Sequence, residues 1–440
     1  MNSKKNNIII IFIFALFELL VITMKMQTMQ FLLILFMTCL VIYKARVSFF
    51  SELSFILTFS FMQEWIKITF GVARGTLYYD GTASPLGTTI YYYELAILLV
   101  TFYITLLLFF SFTKILENEK NLYLINNGVT LSSARFLIII SIILVLLLFP
   151  SFPTGMVDID TRRTQGISAN YGFMLLALYL AGLTSDHCLK HKEFFLGYFF
   201  IVFWTIGHAE RVEIIGFLSY LGLKILNRMD FSNIPIVLKK RRKKLIYLVG
   251  LISILIMSWI GIFRVSGENV SLNVVLANLF LQGTAGDVVH LFNVAADMWK
   301  HGNIVHGLTY IHYFFEFIPG INIGIPTDVY LLESTYFSMG GSFFFVEPMM
   351  NFGLLGAIFS NITFCFIFTL LLGKSNKYHA YLWIPVVIEI FRTAWYGRYG
   401  WILAVFVETP LLFFGITHCL NKIVINKRKI FQTNIESKRN

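Results

Sequence analysis

The sequence predicts an all-α, polytopic integral membrane protein of about twelve transmembrane helices with one long, partly helical outer loop, and three observations carry that prediction. Of its 440 residues 57% are apolar and only 13% are charged, which is not the composition of a soluble globular chain. Twelve crossings at about 20 residues each require roughly 240 residues, and 57% of 440 is about 250, so nearly the whole apolar stock is membrane helix. Runs such as Phe136 to Phe149 are apolar almost without interruption, whereas the strands of a membrane barrel alternate. A formal charge of +11 would suggest nucleic acid for a soluble chain; in a membrane chain the question is which side carries it.

The predicted spans, in order, are 7–24, 29–43, 47–68, 91–112, 135–150, 168–184, 194–208, 211–227, 245–263, 343–372, 379–396 and 399–418. Lys4 and Lys5 ahead of the first apolar run resemble a secretory signal, but no small-residue cleavage pattern follows, so it is read as a helix. With the amino terminus inside, an even number of spans returns the carboxy terminus to the same side. Ten of the 35 Lys and Arg then lie outside or near the outer interface: Lys25, Lys67, Arg74, Arg162, Arg163, Arg211, Arg264, Lys300, Arg392 and Arg398. The rest lie inside, as the positive-inside rule requires. They include the run Lys239 to Lys244, which directly precedes a span and reads as topogenic and lipid-facing rather than as a nucleic-acid patch.

The chain therefore divides into spans one to nine (1–263), a long outer loop (264–342), spans ten to twelve (343–418) and a basic inner tail (419–440). A loop that long in a compact membrane protein is usually functional. Thr284 and Asp287 read as a capping pair for a helix running to about Trp299, and Gly302 follows as a stop. A second short helix is expected over 309–317, before Pro319, so the loop is expected to pack as a small helical lid on the outer face. The four cysteines fall in spans or on the inner side, and no structural disulfide is predicted.

Seven of the ten outer cations are Arg, whose planar fork grips phosphate and stays charged near lipid. Two short outer turns concentrate them. Gly207, His208, Glu210, Arg211 and Glu213 stand between two spans, where a charged cluster is costly unless paired or used. Either Glu and Arg pair locally, or Arg211 at a helix start binds an anion with help from the helix dipole. The second turn carries Arg392, Trp395, Tyr396, Arg398, Tyr399 and Trp401. Its rings suit a membrane belt or a sugar platform beside phosphate; Arg398 is the stronger ligand candidate, since Arg392 stands one turn from Glu389.

Three groups are candidates for acid–base chemistry. Asp287 and His290 are one helical turn apart, so the carboxylate is placed to orient an imidazole base, although Asp287 also serves as a cap. Glu347, early in the tenth span, suits the helix dipole, a sugar hydroxyl or a neighbouring Arg. Gly353 and Gly356 permit close helix packing. Asp158 with Asp160, a spacing that arises often by chance, and His187, Cys188 with His191, on a loop too short to supply a fourth ligand, are discounted as metal sites.

Together the helix count, the long outer loop, Arg211 at a short turn, and the stretch from Gly286 through Pro319 to Gly341, Glu347, Asn351, Phe352, Gly353 and Gly356 resemble the O-antigen polymerase (Wzy-type) family. The resemblance implies a glycosyltransferase in the bacterial inner membrane, with both termini cytoplasmic, polymerising undecaprenyl-pyrophosphate-linked oligosaccharide repeat units at the periplasmic face. It implies no cofactor and no metal, Arg neutralising the leaving pyrophosphate, and a chain-length regulator as partner. Carried onto this sequence, the phosphate-binding role falls on Arg211 and Arg398, then Arg264 and Arg162, with Trp395 and Tyr396 beside the sugar. His290, Asp287 or Glu347 would take the acceptor proton. An O-antigen ligase and a lipid-linked oligosaccharide flippase are the alternatives.

Overall fold

A computed structural model describes residues 26–70, 90–150, 171–188, 191–208, 212–231, 283–315 and 341–397, with the single positions 240, 244, 255 and 276. The helices are α1 Gln27–Ala45, α2 Phe49–Phe70, α3 Tyr92–Phe112, α4 Ile115–Leu124, α5 Leu131–Leu148, α6 Tyr171–Leu183, α7 Lys192–Gly207, α8 Val212–Phe231, α9 Gly283–Lys300, α10 Leu308–Phe315, α11 Val346–Leu371, α12 Lys377–Ile388 and α13 Ile390–Trp395. Among the described residues the protein is helical, without a named strand. The predicted spans 7–24, 245–263 and 399–418 lie outside the described residues; eight of the other nine each coincide with one of these helices to within a few residues, and 379–396 falls on two, α12 and α13.

Four of the described helices, α1, α3, α5 and α11, are long and apolar enough to cross a membrane. Their outward rows are greasy: Phe136, Ile139, Ile143 and Leu147 on α5 and Leu355, Phe359, Phe366 and Leu370 on α11 are all exposed. Such rows match an apolar solvent and would be costly in water. Local sequence sets several ends. Thr130 caps α5 by accepting the Ser133 N–H, and Asn376 caps α12 by accepting that of His379.

Three departures from the sequence reading shape the site. Helix α4 was expected as plain connection; its ten residues bury Ile115, Glu119, Leu122 and Tyr123, a face too short and mixed to register as a span. The eleventh span is interrupted: Pro385 stands inside α12, and at Glu389 (ψ 14°) the chain breaks before α13. The third concerns the long loop. Helix α9 is not a lid laid over the bundle but a packed member of it, in contact with α2 and α11. Every residue from Leu291 to Met298, two full turns, is buried.

The carboxy-terminal end of α9 follows the predicted chemistry, whereas its start does not: the helix begins at Gly283, so Thr284 lies inside it rather than at the cap position. The Gly302 N–H donates to Trp299 O at 3.0 Å and the Asn303 N–H to Met298 O at 2.8 Å, with Gly302 at φ +75°. That is the Schellman closure, in which glycine takes the left-handed position. Helix α10 is fastened to α11 by buried polar contacts. Thr309 Oγ1 donates to Glu347 Oε1 at 2.9 Å, Asn351 Nδ2 donates to Thr309 Oγ1 at 2.7 Å, and Asn351 Oδ1 accepts the Gly307 N–H at 2.8 Å. At Gly353 α11 kinks (φ +66°, ψ −167°), and a side chain there would sit 2.3 Å from the Trp299 indole. Only glycine meets both demands.

Candidate functional site

The two Arg-bearing turns singled out in the sequence are joined by an ion pair between Arg392 and Glu213. Arg392, on α13, donates through Nε to Glu213 Oε1 at 2.7 Å and through Nη2 to the same oxygen, while Glu389 Oε2 lies 3.4 Å from Nε. The Glu213 side chain is 2% exposed and that of Arg392 17%. A buried guanidinium with two carboxylates is balanced only while all are present. The expected pairing of Arg392 with Glu389 is thus made, but the dominant partner is Glu213, from the turn that holds Arg211. The Arg392 guanidinium also stands 5.2 Å from the centre of the Tyr396 ring.

Beyond Arg392 the chain pairs with the segment that leads into α11. The Ser342 N–H donates to Trp395 O at 2.6 Å and the Phe344 N–H to Ala394 O at 2.9 Å. Trp395 Nε1 donates to Ser60 Oγ of α2 at 2.8 Å. Gly341 (φ +117°) is the crossing point: a side chain on it would lie 2.8 Å from Trp395 O, 3.0 Å from Val288 of α9 and 3.6 Å from the Tyr396 ring. Segments far apart in the chain therefore converge here, with Asp287 adjoining Val288.

Helix α9 is registered against α2 and α3 by a polar seam. Asn293 accepts the Tyr91 N–H at 2.9 Å and donates to Glu64 Oε1 at 3.2 Å. The Tyr91 hydroxyl donates to Asp297, and Lys300 pairs with Glu94 at 3.2 Å while lying over the Tyr91 ring at 4.3 Å. This seam fixes where the two titratable groups of α9 sit. Burial pushes the Asp287 carboxyl up to about 7. Burial, then the Lys67 charge, hold His290 down to about 4, against a smaller opposing pull from Asp297.

The expected orienting hydrogen bond from Asp287 to His290 is not made. Asp287 Oδ1 is buried without a hydrogen-bond partner among the described residues, because a three-residue spacing shares a helix face without closing that bond. Glu347 is fully buried in the contacts that anchor α10, which gives it a bracing role. Trp395, 8% exposed, is a bundle contact, leaving Tyr396 as the half-buried ring beside Arg392. Arg211, Arg398, Arg264 and Arg162 lie outside the described residues. Sequence reasoning missed Glu64, Asn293 and the part played by Glu213; polar residues interrupting apolar runs were their signal.

Comparison of the chain with protein-family models, with curated proteins and with solved structures finds no match.

Proposed function

We propose that the chain is a membrane-embedded glycosyltransferase that polymerises undecaprenyl-pyrophosphate-linked repeat units of O-antigen or a related surface glycan at the outer face of the bacterial inner membrane. The observation that carries the reading is the Glu213–Arg392 pair: it unites the two Arg-bearing turns beside the helix that holds Asp287 and His290. In the proposed reaction the acceptor sugar hydroxyl attacks the anomeric carbon of the donor glycan. The bond from that carbon to the pyrophosphate oxygen breaks, and undecaprenyl pyrophosphate leaves. Arg211 and Arg398 hold the diphosphate and offset its developing charge. Asp287 or His290 accepts the hydroxyl proton. Arg392 positions the site through Glu213.

The test is reconstitution of the purified chain with extracted lipid-linked repeat units, with and without a chelator, followed by gel analysis of ladder formation. Wild type is expected to extend the ladder in both. Arg211→Lys is expected to lose most activity at unchanged expression, since a point charge does not reproduce the bidentate fork. Full-length polymer from Arg211→Ala, or activity that stops with chelator and returns with a divalent cation, defeats the mechanism. Gene deletion separates the polymerase from a ligase: core carrying a single repeat unit marks loss of a polymerase, bare core loss of a ligase.

A further inference from the structure

Far along α2 from the Ser60–Trp395 contact, four helices meet at its first turn. Glu119 of α4 accepts the Phe49 backbone N–H at 2.7 Å and the Tyr123 hydroxyl at 3.2 Å, both through Oε1. Glu52, on that first turn of α2, is engaged by the Ser219 hydroxyl of α8. Trp383 of α12 stands edge-on to Phe49 at 5.4 Å and directs its indole N–H towards the Tyr123 hydroxyl. Glu119 is 1% exposed and Trp383 2%. Three buried polar atoms here have no hydrogen-bond partner among the described residues: Glu52 Oε2, Glu119 Oε2 and Trp383 Nε1. Native interiors leave few such atoms, and three around one junction call for an occupant.

The charge balance says which occupant. The charged group acting on Glu119 is Glu52, of like sign. Tyr220 of α8 contributes only its ring, 6.4 Å from that of Tyr123. Lys224 and Arg228, further along α8, are committed to Asp186, Lys224 at 3.0 Å. Lys120, the next residue on α4, is partly exposed. Two buried carboxyls without a cationic partner do not both ionise. A metal cation wants a shell of oxygens, and the unpartnered atoms at this junction are two carboxylate oxygens and an N–H donor.

We propose that Glu52 and Glu119 form a proton-binding carboxyl pair, with the Trp383 N–H and Tyr123 O–H as the donor chain that receives the oxygen from which the proton departs. The proton moves from a carboxyl oxygen to water and back, and no other bond changes. The neutral pair locks the first turn of α2 to α4, α8 and α12; ionisation loosens that junction. Burial pushes the Glu119 carboxyl up to about 8, so this stabilisation is complete below the ordinary carboxylate range and is lost as pH rises through about 8.

The test uses the full chain purified in detergent micelles, with melting followed by intrinsic tryptophan fluorescence between about pH 5 and 9 in choline chloride. The wild-type Tm is expected to fall by several degrees across that range, and Glu119→Gln and Glu52→Gln, neutral and nearly isosteric, to flatten the fall. Infrared spectra of the wild type are expected to show a buried protonated carboxyl band that titrates away with rising pH. That readout stands even if a variant fails to fold. An absent band, or the same slope in both Gln variants, overturns the proposal. So does a Tm rise when sodium or potassium replaces choline in wild type alone, which would assign the pair to a metal cation.

Discussion

Arg392 is the residue on which one end of the bundle turns. Its guanidinium neutralises Glu213 from α8 and Glu389 one turn back, so Arg392→Ala removes the cation that these two carboxylates share. The expected cost is about 3–5 kcal/mol of stability, seen as a lower unfolding midpoint in micelles. The double change Arg392→Met with Glu213→Leu is expected to recover part of it, because the apolar pair carries no desolvation penalty while Glu389 stays buried beside it. A second prediction concerns the proton acceptor. A base must be deprotonated to act, so activity rises as pH passes through its pKa. If Asp287 is the base, the acidic limb of the polymerisation rate falls near 7; if His290 is, the limb falls near 4 and activity is level above it. A pH–rate profile of reconstituted protein distinguishes the two. The Asp287 and His290 pair was visible in the sequence as a three-residue spacing, but their environments were not, since both shifts come chiefly from burial among α2, α9 and α11.

At the scale of elements, the long loop is held by helix breaks as much as by helices. Trp299 closes α9 against the kink of α11 at Gly353, where the backbone is left-handed and the indole fills the side-chain space. Gly353→Ala is expected to destabilise by roughly 2–4 kcal/mol, combining a positive-φ penalty with a clash. Trp299→Ala in the same chain relieves only the clash and recovers part of the loss, which thermal unfolding of the three variants measures. Some of this was legible beforehand: Gly302 as the stop of α9 and a short helix after it both follow from local turn chemistry. The position of α9 inside the bundle was not, because its stripe of Asn293 and Asp297 reads as a solvated face until Glu64 and Tyr91 are set against it. Helix α4 escaped notice for a related reason: its buried face includes Glu119, and hydropathy does not mark a carboxylate as interior.

For the whole molecule, exposed apolar rows on α5 and α11 and four helices long enough to span a bilayer place the chain in a membrane. The proposal of twelve spans with both termini inside makes a checkable prediction. Single cysteines placed near Lys240 and in the carboxy-terminal tail should resist an impermeant thiol reagent in intact spheroplasts, whereas one at Asn303 should react. Labelling of the first two without permeabilisation would refute that orientation. By itself the sequence determined that the chain is helical and membrane-embedded, and roughly where most of its helices run. Those properties are sums over long apolar windows, insensitive to any single contact. Only the tertiary structure decided which polar residues meet: Glu213 with Arg392, Asn293 with Tyr91 and Glu64, Glu119 with the start of α2. Such pairs join residues separated by tens to hundreds of positions, and an interior of low dielectric makes each partner's charge matter only once the two are brought together.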